Sequence, residues 1–114
     1  MSLKGKGDFS NISLRDARGR NVRFTAERLA HIEENHPEIG NAADLAEEAL
    51  TAPEEIVRSR SDDEVMLYYR FHRDTPVGEK YICVVVKFTE GDAFILTMYF
   101  TDKVKQGERI WPTT

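Results

Sequence analysis

The hydrophobic pattern changes period near Pro53, and this change limits what the chain can fold into more than any other feature. Before it, apolar residues recur at helical spacing: Leu29 and Ile32 share one side of a first helix, and Ala42, Ala43, Leu45, Ala46, Ala49 and Leu50 make a second one alanine-rich and amphipathic. After it, apolar residues alternate along strands whose turns are too short for anything but antiparallel pairing. Helices followed by such strands give an α+β fold, with two helices packed on a twisted antiparallel sheet.

Local signals set the boundaries. Ile12–Arg15 and Asn21–Phe24 read as a small amino-terminal hairpin, turned by Asp16-Ala-Arg-Gly with Gly19 free to take positive φ. Thr25 offers an N-cap hydroxyl, and Pro37 ends the helix after about His36. Asn41 caps the second helix, and Pro53 marks its end. Strands are expected at Ile56–Ser59, Val65–Arg73, Tyr81–Phe88 and Ala93–Thr101, giving a sheet of about four strands. Alternation assigns Leu67, Tyr69, Phe71, Val84, Val86, Phe88, Phe94, Leu96, Met98 and Phe100 to the face under the helices. The opposite face then carries Tyr68, Arg70, His72, Cys83, Val85, Lys87, Ile95, Thr97, Tyr99 and Thr101.

A length of 114 residues suits one core, so residues 9–114 are expected to form a single domain behind a disordered leader, residues 1–8. No apolar run approaches the ~20 residues that span a bilayer. The lone cysteine, Cys83, rules out a disulfide framework within the chain and fits a cytoplasmic setting. The net charge of −4 is unevenly spread. Residues 27–64 hold twelve Asp/Glu against three Lys/Arg, while residues 1–26 hold six Lys/Arg against two Asp. Any polyanion must therefore be met by a local basic surface.

His31 and His36 lie five residues apart, about 140° around a helix, so they do not share a metal. No HExxH, phosphate-binding loop or GxSxG is present, and no metal or cofactor is expected. His36 falls on the packed side of the helix end, where an imidazole serves either as a hydrogen-bonded structural group or in proton transfer. Arg70, Lys87, Thr97, Tyr99 and Thr101 supply cations and hydroxyls. Tyr68 and Tyr99 supply rings for a base, and Lys103 and Lys105 add charge after the last strand. Such a set suits RNA cleavage without metal. The 2′-hydroxyl is the nucleophile; the protein need only move protons and hold the charge on phosphorus. The same residue types also occupy ordinary wet sheet faces.

The segments His31-Ile-Glu-Glu-Asn-His36-Pro-Glu, Pro53-Glu-Glu-Ile, Tyr69-Arg70, Tyr81–Lys87 and Phe94–Lys103 together resemble a phage-associated domain of the barnase/EndoU/colicin/RelE-like nuclease superfamily, over roughly residues 22–111. The resemblance implies an RNase-like fold and a toxin-like or phage-associated ribonuclease. It also implies site positions at His36, Arg70, Lys87, Thr97 and Tyr99. RNA is then the expected partner, with an antitoxin or other protein as a second. The alternative expectation is a non-catalytic module that binds protein or nucleic acid in a phage or mobile-element system.

Overall fold

The structure, a computed structural model, describes residues 12–113, so the expected leader lies outside the described residues. The elements follow in order as β1 (Ile12–Arg15), β2 (Asn21–Phe24), α1 (Ala26–Asn35), a 3-10 turn (Pro37–Ile39), α2 (Ala42–Thr51), β3 (Glu55–Arg58), β4 (Val65–Thr75), β5 (Gly78–Thr89), β6 (Asp92–Thr101) and β7 (Glu108–Trp111). The class is α+β, but the sheet has seven strands rather than about four, in the order β1-β2-β6-β5-β4-β3-β7.

Two features enlarge the sheet. The amino-terminal hairpin joins it edge-on, through a parallel contact that sets Arg23 against Phe94. After β6 the chain crosses to the far edge, where β7 pairs with β3. The remaining pairs are antiparallel. Thr25 caps α1 as expected, whereas Asn41 holds the N-cap position of α2 without a side-chain cap hydrogen bond. Thr25 Oγ1 accepts the Arg28 N–H at 3.0 Å, and Pro37 opens the 3-10 turn that follows α1.

The helices cover one face of the sheet. Ile32, Ala46, Ala49 and Leu50 pack with Phe24, Ile56, Met66, Tyr68, Ile82, Val84, Val86, Ile95 and Met98. This corrects the expected phase of β4. Tyr68, paired with Val84, points under the helices, while Leu67 and Tyr69 face away. Residues 65 to 69 are buried on both sides, so their alternation carries no information about which side is which. In β6 a register shift opposite Val85/Val86 turns Ile95 under the helices and places Leu96 and Thr97 on the other face. Two residues then oppose one, and the phase inverts along the strand.

The second face is not open either. Val57, Val65, Leu67, Tyr69 and Cys83 form a second buried cluster, with Tyr81, Val85, Leu96, Tyr99 and Val104 packed on it. Val104 belongs to the crossing segment 102–107, a strap laid over this face on the way to β7. The Lys105 N–H donates to Tyr69 Oη at 3.0 Å. The strap passes so close to β3 that a Cβ on Gly107 would lie 2.4 Å from the Arg58 carbonyl oxygen and 2.7 Å from Val57 Cγ1. Only glycine allows that approach.

Candidate functional site

The residues expected to carry chemistry divide between the two faces. Lys87, Thr97, Tyr99 and Thr101 lie on the strap side, joined there by the strap residues Lys103 and Lys105. His36, Arg70 and Tyr68 lie on the helix side. No hydrogen bond or ion pair joins the two groups among the described residues.

On the strap side Lys87 and Thr101 are already engaged, and Tyr99 packs on the second cluster. The Lys87 ammonium sits 2.6 Å from Asp62 Oδ2 and 3.3 Å from Glu64 Oε1. Its hydrogen bond to Asp62 raises the Lys87 pKa, and the same bond lowers that of Asp62. Burial raises the hydroxyl pKa of Tyr69 and Tyr99, and the neighbouring Cys83 adds to this. Burial likewise pushes the Cys83 thiol up to about 11. These hydroxyls are held protonated and suit donation rather than proton exchange near neutrality. Thr101 Oγ1 accepts the Lys103 N–H at 3.4 Å and so starts the strap.

Tyr68 is corrected from an exposed ring to a core residue. It is fully buried, and its hydroxyl donates to Asp16 Oδ2 at 2.5 Å. Burial and then the Asp16 hydrogen bond raise its pKa. Asp16 Oδ1 also accepts the backbone N–H groups of Arg18 and Arg20, at 3.0 and 2.8 Å, so this buried carboxylate ties the β1–β2 turn to the core. The other arginines of this hairpin are also placed. Arg23 bonds Asp92 at 2.8 and 3.1 Å, and Arg20 lies over the Phe88 ring at 4.3 Å.

The helix side holds what the strap side lacks. Arg70 and His72 alternate down β4 and both point toward α2. Arg70 Nη1 donates to the Ala52 carbonyl at 2.7 Å, at the C-cap of α2, where a cation meets the negative end of the helix dipole. Its Nε is buried without a hydrogen-bond partner. One helical turn back, Glu48 Oε1 lies 3.7 Å from His72 Nε2, too far for a hydrogen bond, and that nitrogen too is buried and unpartnered. Lys80 faces His72 across the strand pair and binds Asp102 at 2.5 Å. His72 lines a cleft of about 200 Å³ with Ile39, Asn41, Leu45, Asp74, Thr75 and Phe100.

Thus a histidine absent from the expected set joins one that was in it, Arg70. The signal was present in the sequence, since Arg70 and His72 are two apart in a strand and must share a face; the missing information was which face meets Glu48. His36 stays at the α1 end, about one-third exposed, with Nδ1 3.3 Å from Glu38 Oε2. Among the described residues no group of three His, Cys, Asp or Glu side chains is arranged to hold a metal, and no helix is long and apolar enough to cross a membrane.

Comparison with known proteins gives one result. A family model described as phage-Barnase-EndoU-ColicinE5/D-RelE like nuclease2 matches residues 3–112, nearly the whole chain. No curated protein and no solved structure shows a significant match.

Proposed function

Because the chain belongs to the phage-Barnase-EndoU-ColicinE5/D-RelE like nuclease 2 family, we propose that it is an endoribonuclease whose chemistry is centred on His72 and Arg70. One observation carries this reading: a buried imidazole nitrogen without a hydrogen-bond partner stands 3.7 Å from a carboxylate at the wall of a cleft, with an arginine beside it on the same strand face. His72 takes the proton of the RNA 2′-hydroxyl while Glu48 steadies the imidazolium. The 2′-oxygen attacks phosphorus, the bond to the 5′-oxygen breaks, and a 2′,3′-cyclic phosphate forms. The leaving 5′-oxygen takes its proton from water. Arg70, two residues before His72 on the strand, and Lys80, paired across from it, supply positive charge near the phosphoryl oxygens once Lys80 leaves Asp102. The nucleophile comes from the substrate, so the step calls for no metal-activated water. Lys87, Thr97 and Tyr99, on the other face, take no part in it.

The test is cleavage of a labelled RNA in chelator. Wild type is expected to yield cyclic-phosphate ends, and His72→Ala to lose about 10²–10⁴-fold in rate. His36→Ala is expected to stay near wild type. A rate unaffected by His72→Ala but abolished by His36→Ala returns the catalytic role to His36. A second reading, a non-catalytic nucleic-acid-binding module, is favoured by the Arg70 guanidinium being already bound to the Ala52 carbonyl. Binding of RNA without cleavage by the wild type selects it.

A further inference from the structure

The strap side carries a second hollow, of about 430 Å³, lined by Ser59, Arg60, Ser61, Leu67, Lys105 and Gln106. Its surroundings are rich in charge, but most of that charge is matched. Arg58 bonds Glu108 at 3.0 Å, and Lys87 holds both Asp62 and Glu64. With those pairs made, Arg60 and Lys105 are left as exposed cations with no acidic partner among the described residues, one from the β3–β4 turn and one from the strap. Asp63 is the one acid of that turn outside an ion pair, although its backbone carbonyl accepts from Arg58 Nη1 at 2.8 Å. The two serine hydroxyls lie 3.1 Å apart at the hollow, and the Gln106 amide adds another donor. The floor is the apolar side chain of Leu67.

Two free cations, hydroxyl and amide donors, and an apolar floor in a space within the usual ligand range suit a phosphate joined to a flat apolar group. We infer that this hollow is a nucleotide-binding site, separate from the His72 cleft. It holds one phosphate of a single-stranded nucleic acid between Arg60 and Lys105, with a base over Leu67. That the ligand is a strand rests on the nuclease reading; the charge balance of the hollow does not. The site lies across the sheet from His72, so it acts as an anchoring surface for the strand rather than as part of the cleavage step.

Binding is measured by fluorescence anisotropy with a labelled 2′-O-methyl tetranucleotide, which lacks the 2′-hydroxyl nucleophile, so the readout is independent of catalysis. Inorganic phosphate, adenosine monophosphate and a glutamate-rich peptide compete in separate arms. Wild type is expected to bind the strand more tightly than the mononucleotide, and the mononucleotide more tightly than phosphate. Arg60→Ala and Lys105→Ala together are expected to weaken the strand at least about tenfold and to flatten its salt dependence. Neither change removes a side-chain bond: the Arg60 side chain makes no hydrogen bond or ion pair among the described residues, and the Lys105 bond to Tyr69 comes from its backbone. Arg73→Ala, on the distant β4–β5 hairpin, is the control and is expected to bind as wild type does. Absence of strand binding, unchanged affinity in the double variant, or equal binding of the peptide overturns the site. Failure of RNA cleavage with strand binding intact bears on the His72 reading alone.

Discussion

Tyr68 and Tyr69 are chain neighbours on β4, both fully buried, and they point into different halves of the molecule. Tyr68 lies beneath regular secondary structure and donates its hydroxyl hydrogen bond to a buried carboxylate. Tyr69 lies beneath an irregular segment, and its oxygen accepts one backbone N–H. Equal burial thus arises in two ways. The helix layer surrounds its tyrosine with packed side chains and a charged hydrogen-bond network. The strap supplies a thin cover and a single neutral hydrogen bond. Equal exposure is therefore a poor guide to how strongly each half is held.

The largest expected effect sets these two networks against each other. Asp16→Ala strips the Tyr68 hydroxyl and two backbone N–H groups of their acceptor, and should cost about 3 kcal/mol in urea denaturation. Tyr69→Phe should cost only about 1 kcal/mol. Equal losses would break the distinction between the two covers. Next in size is Gly107→Ala, which forces the strap away from Arg58 and Val57 and should cost about 2 kcal/mol. Trp111, in β7 just beyond the strap, should report that displacement as a red-shifted emission, while far-ultraviolet circular dichroism keeps its helical signal.

The smallest effect is alkaline. Burial raises the Cys83 thiol from an ordinary 9.0 to about 11, so between these values the unfolded chain releases a proton that the folded chain keeps. Stability from this group is complete below about pH 9 and falls as pH rises toward about 11. Cys83→Ala should remove the first part of that decline, on the order of 1 kcal/mol, and leave the part due to the buried tyrosines. An unchanged pH profile in this variant would mean that the strap admits water to the thiol.

Much of the fold was legible in the sequence because its signals are local. Thr25 and Pro37 bracket α1, and the amino-terminal strands fall at Ile12–Arg15 and Asn21–Phe24 as expected. What stayed hidden depends on distant partners. Glu108–Trp111 has no adjoining turn that pairs it with its neighbour in sequence, and it becomes a strand because the distant β3 offers an edge. The phase of β4 was lost where Val65, Met66, Leu67, Tyr68 and Tyr69 are all buried, and the phase of β6 at its bulge. The candidate site suffered in proportion. Arg70 lies on the helix side, whereas Lys87, Thr97 and Tyr99, expected to share its face, lie on the strap side. His72 was passed over because its relation to Glu48 exists only after α2 docks.

The crossing strap has a kinetic consequence. Residues 102–107 can lie over β5, β4 and β3 only once those strands are side by side, so β7 is placed late in folding. In the native protein the strap is then the layer that lifts first, while Ile110 and Trp111 keep β7 packed against the helix-side cluster. Such an excursion frees the Lys105 amide and bares Tyr69 to solvent while the helix-covered core stays closed. Amide hydrogen exchange at Lys105 therefore measures a partial opening, one less costly than unfolding the chain.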